Sequence, residues 1–171
     1  MYHFINFWFS RPFEVDMQNT LLDSLDKEII RLLAEDGRIP IGSLAKRLKV
    51  TAPTLRKRIK KLEKEGLLKV SGLIDPQKHP EMTTALVAMS IQSHGKMDQI
   101  LSKIAGLPNV VWAGVVTGRY DIIAEVLVSG GKNELYRFTT ETILKQGEVV
   151  RSESFVIMKS AGNWVRPKFD K

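Results

Sequence analysis

The chain has 171 residues, 43% of them apolar, which is enough for one ordinary domain or two small ones with a hydrophobic core. It contains no cysteine and only three scattered histidines, so disulfides and thiolate metal sites are excluded, and we expect neither a metal centre nor a cofactor. The formal net charge of +7 is uneven: residues 46–69 carry ten Lys and Arg against two Glu, a balance of +8, so the rest of the chain sums to −1. This density predicts a polyanionic partner, either nucleic acid or an anionic membrane surface.

The first 20 residues are predicted to form an arm ahead of the folded part of the chain. Their opening, MYHFINFWFSRPF, holds six of the thirteen aromatic residues. It lacks the basic start and the cleavage site of a signal peptide, so we expect these aromatics to cover a partner subunit. No run of about 18 apolar residues occurs, so we expect no membrane span. The lack of cysteine suits the reducing cytoplasm, where we expect the protein.

Residues 21–68 are predicted to form three helices. In LLDSLDKEIIRLLAEDGR the apolar residues recur at helical spacing, and Asp23 or Ser24 serves as the N-cap. A second, shorter helix follows. Thr51 is the predicted N-cap of a third helix, which carries a proline in its first turn and ends before Gly66. Three helices with short connections predict a helix-turn-helix DNA-binding domain.

The third helix carries most of the cationic cluster. Leu55, Ile59 and Leu62 face the core, so the basic residues fall outward and toward the flanks. Its first three turns contain no acid to form the i,i+4 pairs of an ordinary solvated helix. The alternatives are a merely soluble surface and a membrane contact, but a membrane contact needs large apolar residues on the exposed face. As the second member of a helix-turn-helix, this helix is predicted to enter the major groove of double-stranded DNA.

The predicted DNA contacts follow from this placement. Residues expected to reach base edges lie at the start of the helix, with Arg56 reading a guanine through its forked guanidinium: Thr51, Ala52, Pro53, Thr54 and Arg56. Residues expected to neutralise phosphates lie further along and on the preceding helix: Lys46, Arg47, Lys57, Lys60 and Lys61.

The pattern changes after a predicted linker at residues 69–82. Residues 83–160 alternate strands and helices in the order βαββαβ, and a tail follows at 161–171. The predicted strands lie at 83–92, 109–118, 120–129 and 148–160, and the predicted helices at 96–107 and 133–145. The whole chain is therefore predicted to be α+β, with a ferredoxin-like second domain whose sheet has two helices on one face and leaves the other for a partner.

The two halves together resemble a known family. LDKEIIRLLAEDGRIPIGSLAKRLKVTAPTLRKRIKKLEKEGLLK is similar to the DNA-binding half of the Lrp/AsnC (leucine-responsive or feast/famine) transcription regulators, in its Leu-Asp start and its DGR, LA and RI..LE..G motifs. VVTGRYD, between two predicted strands, is similar to part of the small-molecule-sensing βαββαβ half of that family. The match covers roughly residues 22–160, with both halves in order.

The resemblance implies a homodimer joined through the sheets of the second domain, which often assembles further into octamers. It also implies binding to operator DNA and a response to an amino acid or related metabolite, the effector, held between dimers. It places the effector at five residues of the turn and the last strand: Thr117, Gly118, Asp121, Ser152 and Ser154. Three features depart from the family: Arg119, where an acidic residue is common, the proline of the third helix, and the aromatic arm.

The chemistry of the turn fits an amino acid without reference to the family. An ammonium group needs a carboxylate, which Asp121 offers, and a carboxylate needs backbone N–H groups, which a glycine turn offers. The alternative is that Gly118 is merely a hairpin glycine with positive φ and Asp121 a turn-capping residue.

Two other functions remain open on the sequence. The sirohaem decarboxylases resemble these regulators in architecture, and Arg119 could face a tetrapyrrole carboxylate, but such an enzyme has no need of the basic helix. We predict no catalytic residue. A chromatin-like protein that coats DNA and senses nothing would bind operator and random DNA alike.

Overall fold

The computed structural model describes residues 22–92 and 94–167, so the predicted aromatic arm at 1–20 lies outside the described residues. Within this part the chain forms two compact units that divide after Gly72. The division falls inside the predicted linker at 69–82. None of the helices in the described ranges is long and apolar enough to cross a membrane.

The first unit contains the three predicted helices: α1 (Ser24–Glu35), α2 (Ile41–Leu48) and α3 (Ala52–Lys64). Asp23 is the N-cap of α1, and its Oδ1 accepts a hydrogen bond of 2.8 Å from the N–H of Asp26. Thr51 caps α3 in the same way, through a bond of 3.3 Å from the N–H of Thr54. The caps read from the sequence are therefore confirmed.

The connection from α2 to α3 is tight because Lys49 adopts the left-handed conformation, with φ of 54°. This turns the chain while the N–H of Val50 bonds to the carbonyl of Ala45 over 3.0 Å. The three helices enclose one core of buried residues: Ile29, Leu32, Leu44, Ala45, Leu55 and Leu62.

The second unit has the predicted βαββαβ order: β1 (Met82–Ile91), α4 (Met97–Gly106), β2 (Val110–Val115), β3 (Ile122–Ser129), α5 (Gly131–Arg137) and β4 (Val149–Val156). Its sheet is antiparallel, in the order β2-β3-β1-β4. After α5 the helical path continues through a π-helical segment, Phe138–Ile143, and a short 3₁₀ turn.

The two faces of the sheet differ in what covers them. One face packs against α4 and α5, and its core comes mainly from alternate residues of β1 and β3: Ala85, Val87, Met89, Ile122, Ala124 and Val126. The opposite side, which we call the open face, carries a row across all four strands: Trp112, Glu125, Leu86 and Phe155. Trp112 and Phe155 at its two ends are about half exposed.

Three predicted strand boundaries differ from the structure by two residues or more. β2 ends at Val115 and β3 begins at Ile122, because the N–H of Val116 bonds to the carbonyl of Asp121 over 2.9 Å and closes a six-residue connection. The last strand stops at Val156 instead of continuing to residue 160. Beyond it the tail returns to the linker, where Ile74 and Val165 exchange two backbone hydrogen bonds of 2.8 and 2.9 Å.

Candidate nucleic-acid interface and effector site

Exposed cations gather on α2 and α3, a surface that we call the basic face. Its members have exposed side chains and no ion pair within the described part of the chain: Lys46, Arg47, Arg56, Lys57 and Lys60. Lys61 is also exposed but lies 3.8 Å from Glu65, a weak contact in water. At least five positive charges on two consecutive helices therefore have no counter-charge in the part of the chain that the structure describes.

The start of α3 is arranged as an exposed, hydrogen-bonded turn. The hydroxyls of Thr51 and Thr54 lie 2.8 Å apart, while Pro53 is exposed and Ala52 half-buried. The Thr51 hydroxyl is thus already used by the cap. What the turn offers to solvent is the methyl groups of both threonines, the proline ring and the remaining capacity of the Thr54 hydroxyl.

Arg58 differs from the other cations of α3, and the sequence pattern did not assign it a partner. Its Nη1 contacts the carboxylate of Asp23 and also that of Asp26, over 3.1 Å to Oδ1. The N–H of Asp26 and then the Arg58 guanidinium lower the pKa of the Asp23 carboxyl. In turn, hydrogen bonds to Asp23 and Asp26 raise the pKa of Arg58.

The connection between β2 and β3 holds three of the predicted effector residues. Thr117 and Gly118 are exposed, and Gly118 has φ of 120°, which a side chain rarely allows. Asp121 is half-buried: its N–H bonds to the carbonyl of Met89 and its Oδ2 accepts from the N–H of Ile91, over 2.9 and 2.8 Å. Its carboxylate therefore already ties the connection to β1.

The remaining two predicted residues lie on β4, on the other side of β1. Ser152 pairs with Met89 and Ser154 with Val87, so Ser152 and Asp121 flank the same stretch of β1. Two clefts of about 280 and 240 Å³ lie elsewhere in this unit, and none of the five predicted effector residues lines either of them. Among the described residues, no three His, Asp or Glu side chains converge as a metal site would require.

One contact near this connection was not foreseen. The Tyr120 hydroxyl donates a hydrogen bond to Oε2 of Glu153, which lies on β4 between Ser152 and Ser154. The Arg119 guanidinium lies 5.6 Å from the centre of the Tyr120 ring. Tyr120 lies two residues after Gly118, but the sequence gives no sign that β4 lies within its reach.

Comparisons with known proteins agree with this architecture. A family described as winged helix-turn-helix DNA-binding matches residues 22–69, and the Lrp/AsnC ligand-binding domain matches residues 84–163. An uncharacterised HTH-type transcriptional regulator of Pyrococcus abyssi is 35% identical over 144 residues, which cover 84% of this chain and 89% of the relative. The chain belongs to the Lrp/AsnC family. It is thus an Lrp/AsnC transcriptional regulator with a DNA-binding helix-turn-helix and a ligand-binding domain.

Solved structures share the Lrp/AsnC fold. The leucine response regulatory protein of Mycobacterium tuberculosis has a TM-score of 0.72 at 24% identity, covering 81% of this chain and 94% of that one. A transcriptional regulator of Neisseria meningitidis, solved in complex with L-methionine, has a TM-score of 0.69 at 22% identity, covering 84% and 94%. The resemblance read from the sequence is confirmed, as is its α+β fold.

Proposed function

We propose that the protein binds operator DNA by placing α3 in the major groove, and that an amino acid or related metabolite changes this binding. The observation that carries the proposal is the basic face, whose five exposed cations have no ion-pair partner among residues 22–92 and 94–167 and lie beside the exposed first turn of α3. Unpaired cations at this density lower the free energy of DNA binding by releasing counterions from phosphates.

Each part of the basic face has its own proposed role. Arg56 reads a guanine, since it is exposed, has no ion pair with any described residue and lies one turn from the start of the helix. Thr51, Ala52, Pro53 and Thr54 approach the bases, chiefly through the threonine methyls, the proline ring and the Thr54 hydroxyl. The other cations contact phosphates and set the register of the protein on the duplex: Lys46, Arg47, Lys57, Lys60 and Lys61.

The effector site is proposed at Thr117, Gly118, Asp121, Ser152 and Ser154. The β pairing supports it, because it brings Asp121 and Ser152 to the same stretch of β1. The solved complex of the Neisseria relative with L-methionine supports an amino acid as the ligand. We propose that the negative charge of the Asp121 carboxylate attracts the ligand's ammonium group.

Assembly completes the proposal. The open face ends in two half-exposed aromatic residues, Trp112 and Phe155, which a second copy would cover to form a homodimer. Dimers then assemble into octamers, and the effector acts by favouring one arrangement of the paired DNA-binding units. Because a regulator works where the DNA is, the same proposal places the protein in the cytoplasm. Because the relatives reported above are transcriptional regulators, we prefer this function to that of an enzyme like the sirohaem decarboxylases.

The test is fluorescence anisotropy of the full chain on labelled DNA at fixed salt. One DNA is recovered by binding-site selection and the other is random, each measured with and without a pooled set of amino acids. We expect the selected DNA to bind roughly 10³-fold or more tightly than random DNA, with an affinity that the pool changes. Equal, weak binding to both would overturn the proposal, and selective binding that no amino acid alters would overturn its sensing half.

A further inference from the structure

Arg58 of α3 is not part of the basic face, because its guanidinium contacts two carboxylates of the same unit. The Arg58 side chain is about one-third exposed, and a single nitrogen, Nη1, contacts the carboxylates of both Asp23 and Asp26. These acids belong to the N-cap and first turn of α1, more than 30 residues earlier in the chain. The three side chains, which we call the clamp, join the start of α1 to the middle of α3.

The burial of the clamp makes this connection costly to break. Asp26 is 5% exposed, so its carboxylate has little access to water and depends on Arg58 for its counter-charge. Both carboxylate oxygens of Asp23 are also hydrogen-bonded, because its Oδ1 accepts from the N–H of Asp26 and its Oδ2 accepts from Arg58. Arg58 therefore cannot turn toward a DNA phosphate without leaving a buried charge unpaired.

The clamp also restricts the rotation of α3 about its axis, which the apolar core does not. α3 is held to the core chiefly by Leu55 and Leu62, and apolar contacts tolerate small rotations of a helix about its axis. Charge-assisted hydrogen bonds depend on the position of the donor. Arg58 follows Arg56 by two residues, so a rotation of α3 that breaks the clamp also swings the Arg56 guanidinium relative to α1.

We propose that Arg58 is a positioning residue for DNA recognition: through Asp23 and Asp26 it fixes the rotation of α3, and so the aim of its exposed first turns, without touching DNA itself. This rests on the proposed role of α3 as the recognition helix. Fixed geometry matters most for base contacts, which require defined donor positions, and least for phosphate contacts, which tolerate adjustment.

The experiment compares Arg58→Gln with Arg47→Gln in the full chain. Arg47 is an exposed cation of α2 with a proposed phosphate contact and no ion pair to the residues that the structure describes, so the chemical change is the same. Anisotropy over a series of salt concentrations gives the affinity for selected and random DNA. For Arg47→Gln we expect the slope of log K against log salt to become shallower by about one unit on both DNAs. For Arg58→Gln we expect an unchanged slope and a ratio of selected to random affinity that falls roughly tenfold.

Two further variants distinguish loss of the clamp from unfolding of the first unit. Because one nitrogen contacts both carboxylates, Arg58→Lys retains a cation that can bridge them, and we expect it to restore most of the ratio. The triple variant Asp23→Asn, Asp26→Asn, Arg58→Gln removes the buried charge with the clamp. We expect it to remain folded by circular dichroism and to show the same reduced ratio with an unchanged slope.

The outcomes distinguish failure of the positioning role of Arg58 from failure of the proposed DNA-binding function. If the slope becomes shallower for Arg58→Gln as much as for Arg47→Gln, Arg58 touches phosphate and the positioning role is wrong. An unchanged ratio in the folded Arg58→Gln or triple variant also overturns it, because the aim of α3 then does not depend on the clamp. If the parent binds selected and random DNA equally weakly and Arg47→Gln changes neither slope nor affinity, the proposed function is wrong, and the positioning role that rests on it is wrong with it.

Discussion

Two arginines of the same helix have different surroundings, and the surroundings assign their roles better than the residue type does. Arg56 is exposed and has no acidic partner within the described residues, so the proposed contact with DNA would cost little beyond the ordering of its side chain. Arg58 is held by two carboxylates, one of them buried. A count of positive charges on α3 treats the two alike, whereas their different contacts are the reason why we propose a DNA-reading role for one and a positioning role for the other.

Substitution of Arg56 tests the reading role directly. Arg56→Ala should weaken binding to selected DNA by ~1–3 kcal/mol and relax the preference at one base position, because a forked contact to guanine is lost. Anisotropy and a repeated binding-site selection measure the two effects. Arg31→Ala is the matched control, since Arg31 is exposed on α1 and pairs there with Glu28 and Glu35. A selection that returns the parent sequence with Arg56→Ala would rule out the reading role.

Asp121 has a structural contact and a proposed ligand contact, and Asp121→Asn separates them. Asparagine keeps an oxygen acceptor for the N–H of Ile91 but lacks the negative charge that an ammonium group requires. We expect unchanged DNA affinity without amino acids and loss of the response to the pool. Asp121→Ala, which also removes the acceptor, should cost about 1–3 kcal/mol of stability. A full response in Asp121→Asn would show that the effector binds elsewhere.

At the scale of the elements, the sequence was most informative where a local signal marks an end. The helices of the first unit were predicted closely because Asp23 and Thr51 are caps and Gly66, with φ of 72°, follows the last turn of α3. The βαββαβ order followed from alternation and helical spacing, which survive small errors in the boundaries. The candidate DNA-binding residues could therefore be assigned to α2 and the first turns of α3, and Ser152 and Ser154 to β4, whereas Thr117, Gly118 and Asp121 lie in a longer connection than the predicted turn.

Features that lack a local sequence signal, or that are set by distant residues, could not be predicted in this way. The helix after β3 changes to a π segment, where the hydroxyl of Thr139 bonds to the carbonyl of Leu135 over 2.6 Å. Helical spacing alone does not distinguish this segment from an α-helix. The partners of Arg58 and of Tyr120 lie more than 30 residues away in sequence, so only the folded chain identifies them.

The cap of α1 leads to a pH prediction for the first unit. The pKa of Asp23 lies below its usual 3.8, so its carboxylate stabilises the fold above that value, and the contribution is lost as the pH falls through the lowered pKa. Asp23→Asn keeps a cap but has no charge to lose. Its stability should therefore decrease less than that of the parent between about pH 4 and pH 2.

Denaturant unfolding at a series of pH values, followed by circular dichroism, measures this difference. Asp98→Asn, which removes the same charge from an exposed position in the first turn of α4, corrects for the change in net charge. If the parent and Asp23→Asn lose stability in parallel as the pH falls, the charge of the Asp23 carboxylate, which accepts from the N–H of Asp26 and from Arg58, contributes nothing in the acid range.

At the scale of the whole molecule, each unit has a core of its own, so a substitution in one core should destabilise only the unit that contains it. Leu55 in α3 and Ile104 in α4 are both fully buried, one in each core. Leu55→Ala and Ile104→Ala should each cost about 2–5 kcal/mol in their own unit. Hydrogen exchange followed by mass spectrometry should show faster exchange in α1 to α3 for the first variant and in the sheet for the second. Equal changes in both units would mean that they unfold as one body.

Assembly depends on whether the open face is covered by a second copy. Phe155 is about half exposed at the end of the row that begins with Trp112, whose Nε1 donates to Glu125 over 2.8 Å. Phe155→Glu adds a second carboxylate to this row, and an interface that buries this charge without a partner is strongly disfavoured. We expect this variant to be a monomer at concentrations where the parent is a dimer, measured by analytical ultracentrifugation.

Tyr136→Glu is the matched control, because Tyr136 is an aromatic residue, 70% exposed, on α5 at the other side of the sheet. It should leave the dimer intact.

The monomeric Phe155→Glu variant should also lose most of its affinity for a selected site with two half-sites while retaining weak binding to one, since two linked DNA-binding units gain from effective concentration. A Phe155→Glu variant that sediments with the parent would move the interface to another surface, and loss of the dimer in Tyr136→Glu would point to the helical face.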